Sequence, residues 1–83
     1  MHGEEQQAKR AALENCKTQG ERAYSDMYDA HSSSAARACY SDAKEFFYEA
    51  IKLAEELGAA AEAEALRKRL EHIKAVFRHQ FAP

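Results

Sequence analysis

From Ala36 to Leu57 two apolar rows run side by side along one helical stretch. Ala36, Cys39, Ala43, Phe46, Ala50, Leu53 and Leu57 recur three and four residues apart, and Tyr40, Phe47, Ile51 and Ala54 form a second row beside them. A helix that is apolar on two adjacent faces has two neighbours to satisfy, which makes it the middle one of three. Phe46 and Phe47, one on each row, are expected to face opposite neighbours.

The rest of the chain supplies those neighbours. Leu13, Cys16, Gly20, Ala23, Met27 and Ala30 alternate in threes and fours, with Ala12, Tyr24 and Tyr28 widening the face, so a first helix runs from about residue 4 to 29. Glu4 and Glu5 suit its N-terminus electrostatically. Gly20 costs about 1 kcal/mol relative to Ala inside a helix. The apolar row keeps its phase across Gly20, so close approach of a neighbouring helix is the preferred reading and a break the alternative. Ser32, Ser33 and Ser34 are capping residues, and Ser34 is the favoured start of the second helix, over about 34–57. A cap at Ser41, with a turn at Ala38 to Tyr40, is the competing placement. Gly58 takes the left-handed conformation that closes a helix. A third helix over about 60–80 follows at once, with Ala63, Leu66, Leu70, Ile73 and Phe77 as its stripe and Val76 and Phe81 beside it. So short a connection makes the second and third helices antiparallel neighbours. The expected fold is therefore an all-α, three-helix antiparallel bundle in one domain spanning residues 1–83.

The core is thin. Leu, Ile, Val and Phe number only twelve among 83 residues, below the share of roughly 20% at which disorder becomes a concern. The companion sign of disorder, a high net charge, is missing at −2, and the abundant Ala is the best helix former. A small, thinly cored domain gains from pairing with another copy, so a homodimer is expected. No segment approaches the roughly 20 apolar residues of a membrane span, and Met1 to Arg10 lacks a signal-peptide core. A cytoplasmic protein without membrane contact is the expectation. With a turn near Ser32, Cys16 and Cys39 lie about 13 Å apart along the helix axes, beyond the roughly 7 Å a disulfide spans. Both fall on apolar rows and read as two buried free thiols.

Tyr40-Ser41-Asp42-Ala43 with Phe47 and Ala50 resembles the second helix of a tetratricopeptide repeat. Ala54-Glu55-Glu56-Leu57-Gly58, followed by Ala63, Glu64, Ala65 and Leu66, looks like the junction to a next repeat. The likeness covers residues 40–77; no 34-residue self-similarity runs along the chain. The resemblance implies a scaffold for protein partners, and it favours the turn at Ala38 to Tyr40.

Residues with chemical potential are better explained by surface and core roles. His72 and His79 are seven apart, whereas helix-borne metal ligands sit three or four apart; His31 lies among the serines and His2 at the start of the chain. Cys16 and Cys39 form no close pair for zinc. Ser32 to Ser34 are explained by capping, and Glu55, Glu56, Glu62 and Glu64 by solvated helix positions. No phosphate-binding glycine loop occurs. Neither an enzymatic role, a metal nor a cofactor is expected. Residues 41–64 carry seven acids and two bases, and residues 65–83 five bases and one acid. The basic group Arg67, Lys68, Arg69, Lys74 and Arg78 supplies the alternative reading, a small nucleic-acid-binding regulator. Glu71 interrupts that face and the chain is acidic overall, which disfavours a phosphate reader. Tyrosine suits interfaces because its ring is apolar and its tip tolerates water. Tyr24, Tyr28 and Tyr48 are therefore the candidate residues for binding another protein or a second copy of the chain.

Overall fold

A computed structural model describes residues 2–81, with the side chain of His2 outside the described set. It contains three helices, α1 (His2–Asp29), α2 (Ser33–Glu56) and α3 (Ala60–Gln80), and no strand among the described residues. The all-α three-helix bundle is the fold. Laid side by side, the helices give a long body of 49 × 19 × 12 Å.

The first connection sits at the serines and not at Ala38 to Tyr40, where the tetratricopeptide likeness had favoured it. Ser32 is extended at φ −149°, and its Oγ accepts a hydrogen bond from the Ala35 amide at 3.1 Å. That satisfies one of the amides a helix start leaves without a partner. The cap is Ser32 and not Ser34, so α2 begins at Ser33, one residue before the expected start. At the other end of α2, Gly58 has φ +73°. Its amide donates to the Glu55 carbonyl and the Ala59 amide to the Ala54 carbonyl, at 3.0 and 2.9 Å. These paired bonds are the Schellman closure, which turns the chain straight into α3.

α2 is the middle helix. It buries Ala36, Ala43, Phe47, Ala50, Ile51, Leu53 and Ala54, whereas α3 buries Ala63, Leu66, Leu70, Ile73 and Phe77. α1 adds Leu13, Ala23 and Met27. Its continuity through Gly20 has a physical reason. A Cβ built there would lie 2.8 Å from Phe47 Cε2, so the ring occupies the space a side chain would take. The packing thereby shifts the expected row on α2. Phe47 is fully buried at its centre, while Phe46 is only half-buried and belongs to neither core cluster. Cys16 and Cys39 are free but half-buried, not buried, because each lies at the edge of a cluster. Burial pushes the Cys16 thiol up, with Glu49 adding to the shift.

The core falls into two clusters. The larger holds Leu13, Phe47, Ile51, Leu53, Leu66, Leu70 and Ile73, with Ala50, Ala54 and Ala63 between them. The smaller, towards the Ser32 turn, is Met27, Ala36 and Phe77. Tyr40 stacks flat on Phe77 there, with centroids 4.0 Å apart and planes within 3°.

Candidate interaction surface

α1 and α3 are both antiparallel to α2 and so parallel to one another, and polar side chains bridge them over residues 10–24 and 62–72. Arg10 donates to Glu62 at 2.6 Å and Lys17 donates to the other oxygen of the same carboxylate at 3.2 Å. Two turns further on, Arg69 makes a two-pronged bond to Glu21 at 2.8 and 2.7 Å. Tyr24 then meets His72, with Oη 3.4 Å from Nε2. The hydrogen bond from Arg10, joined by that from Lys17, holds the Glu62 carboxyl below the usual carboxylate range. Glu62 and Tyr24 are half-buried, but the cations Arg10, Lys17 and Arg69 are open to solvent over much of their surface, so each ion pair contributes modestly to stability.

Two of the three candidate tyrosines come together on this flank. The Tyr24 and Tyr28 rings meet edge-on with centroids 5.3 Å apart and Oη atoms 3.2 Å apart. Their spacing of four residues stacks them on one face of α1. Burial, then the hydrogen bond to Tyr28, pushes the Tyr24 phenol up to about 12. The Arg69 guanidinium lies 5.0 Å from the Tyr24 ring, a cation–π geometry. Tyr28 remains 47% exposed, and none of the described cation–π contacts covers its ring.

Tyr48 is elsewhere. It is 52% exposed on the α2–α3 flank, with Lys74 Nζ 5.3 Å from its ring centroid. It therefore does not extend the Tyr24–Tyr28 surface. Spacing along the first helix put Tyr24 and Tyr28 together at the side of its apolar face, and Tyr48 lies on neither apolar row of the second. Their separation on opposite edges of α3 depends on contacts 48 positions apart in the chain for Tyr24 with His72 and 26 apart for Tyr48 with Lys74, which no local pattern carries.

The basic residues are mostly engaged. Arg67 pairs with Glu55 and Glu64, Arg69 with Glu21, and Lys74 with Glu71. Lys68 and Arg78 have no ion pair among the described residues. His72 is held by Tyr24, while His31 and His79 are exposed. Among the described residues no group of three His, Cys, Asp or Glu side chains converges as a metal site. An open groove of about 370 Å³ lies at the end remote from Ser32, lined by Gln6, Gln7, Arg10, Leu57 and Ala59. It brings together two amides and a guanidinium already bonded to Glu62, with no nucleophile beside a base. No described helix is long and apolar enough to cross a membrane. No family model, curated protein or solved structure matches the chain.

Proposed function

We propose that this chain is a non-enzymatic helical module that binds another protein, foremost a second copy of itself. The observation that carries the reading is Tyr28. Its half-exposed ring is braced edge-on by Tyr24, which is fixed in turn by Arg69 and His72. A braced aromatic loses little side-chain freedom on binding and offers an apolar ring with a polar tip, as interface anchors do. The likeness of residues 40–77 to a tetratricopeptide hairpin points towards the same class, a helical scaffold for protein partners. The reading places the module in the cytoplasm, where free thiols such as Cys16 and Cys39 stay reduced.

The alternative, a nucleic-acid-binding regulator using Arg67, Lys68, Arg69, Lys74 and Arg78, has less support. Three of those five cations are already neutralised by carboxylates of this chain. Sedimentation across concentration tests the first reading: self-association is expected, weakened by Tyr28→Ser and little changed by Tyr48→Ser. A monomer at every concentration would refute it. Salt-dependent retention on DNA or RNA would favour the alternative, because phosphate contacts weaken steeply with ionic strength.

A further inference from the structure

We propose that the α2–α3 flank near the Ser32 turn docks a short acidic segment of another protein, with a carboxylate between Lys44 and Arg78 and an apolar side chain on Tyr48. That flank is separate from the Tyr28 surface, so the docking goes beyond self-association and does not depend on it. Two features carry it.

The first is register. Arg67 bonds Glu55, and seven residues further along α3 Lys74 meets Tyr48, which lies seven residues back along α2. The two helices therefore keep an even antiparallel step over two turns. One more turn in the same step sets Arg78 level with Lys44. Near that height Tyr40 stacks on Phe77, and Lys44 Nζ lies 4.6 Å from the Tyr40 ring centroid. The other two cations at this seam are matched, Arg67 by Glu55 and Glu64, and Lys74 by Glu71. Neither Lys44 nor Arg78 has an ion pair among the described residues. Two unpaired cations facing one another across a seam repel, and a carboxylate placed between them relieves both.

The second is Tyr48, one turn from Lys44 towards Gly58. Its ring is half-exposed, and Lys74 Nζ lies 5.3 Å from its centroid. A ring with a polar tip beside free cations fits a segment that carries both carboxylates and apolar side chains. Arg37, exposed two turns before Lys44 on the same face of α2, extends the basic row towards the Ser32 turn.

An acidic protein segment suits this flank better than a nucleic acid. Phe77 and Lys44 already lie against the Tyr40 ring, so the flank has no row of open rings on which bases could stack. A long polyanion would also run on over Glu71, Glu55 and Glu64. A short segment stops before them.

The probe is a fluorescein-labelled amphipathic peptide of Glu and Leu, titrated with the full-length chain and followed by fluorescence anisotropy. It is expected to bind at low ionic strength and to weaken as salt rises. Lys44→Gln and Arg78→Gln together should weaken it about tenfold, near the upper end for two exposed ion pairs. Tyr48→Ser should also weaken it. Arg22→Gln with Lys68→Gln removes the same charge from exposed cations that lie off this flank and lack ion pairs among the described residues. That pair of substitutions should leave the affinity nearly unchanged. Equal losses in the two double variants would mean that the peptide follows net charge alone, and would overturn the proposal. Tighter binding of single-stranded DNA than of the peptide would overturn it too. So would weaker self-association in the Lys44→Gln, Arg78→Gln chain, which would make a second copy the occupant. A peptide that does not bind at all is the plainest contradiction.

Discussion

α1 meets its two neighbours through opposite chemistries. Against α2 it offers Gly20 with Leu13, Ala23 and Met27, and the backbone comes close enough that Phe47 fills the place of a missing side chain at Gly20. Against α3 it reaches outward with Arg10, Lys17, Glu21 and Tyr24, and charged or polar tips carry much of the contact. The first seam is dry and close-packed, so its strength depends on shape. The second is wet, so its strength depends on pH and salt. A chain with few large aliphatic residues thus gains two neighbours for α1 while placing only three of its hydrophobic side chains wholly inside.

The largest effect that would break this contrast is at the dry seam. Phe47→Ala should cost about 3–5 kcal/mol through lost burial and the cavity left behind. A chain of this length holds about 4–12 kcal/mol in all, so urea unfolding should show a protein near the edge of folding at 25 °C. At the wet seam, Arg69→Ala should cost only about 0–1 kcal/mol. The difference between it and the natural protein should shrink in about 1 M salt, where the screening length falls to about 3 Å. A larger loss that persists in salt would mean that the two seams are alike.

Acid should act on the same seam. The Glu62 carboxyl is held below its ordinary value of 4.5 in the folded chain, chiefly by Arg10. Its contribution is therefore complete above the unfolded value and disappears as pH falls through the lower folded one. Melting temperature should drop over that range, and Glu62→Gln should flatten the drop. A further test lies at the alkaline end. Tyr24 is raised from 10 to about 12, so its stabilisation is full below pH 10 and is lost as pH rises towards 12. Titration of phenol absorbance should show one late-ionising tyrosine, missing in Tyr24→Phe.

The dry seam was largely legible in the sequence and the wet one was not. Leu13, Ala23 and Met27 lie on the expected row of α1, and the buried set of α3 is the expected stripe without change, because three-and-four spacing reports a helix face directly. Gly20 was readable as a close approach because the row kept its phase across it. What the period could not resolve was which of two adjacent phenylalanines would fill that gap. Phe46 and Phe47 differ by about 100° around the helix, and the choice fell to Phe47 through the position of α1. The Ser32 cap was one of three adjacent candidates with the same chemistry. The bridges from Arg10 and Lys17 to Glu62, and from Arg69 to Glu21, join residues 45–52 positions apart. Glu62 reads from the sequence as a solvated helix position and Arg69 as part of a basic group, and only the parallel placement of α1 and α3 brings them to their partners.

The central claim is that Gly20 and Phe47 share one space. A double-mutant cycle on thermal unfolding tests it directly, since neighbours that share a space are not additive. Gly20→Ala should destabilise the natural chain, because a Cβ 2.8 Å from a fully buried ring has nowhere to go. In the Phe47→Leu background the same substitution should stabilise, by up to about 1 kcal/mol from helix propensity. If Gly20→Ala stabilises both backgrounds equally, the two residues do not compete and the close seam between α1 and α2 is not what holds the bundle.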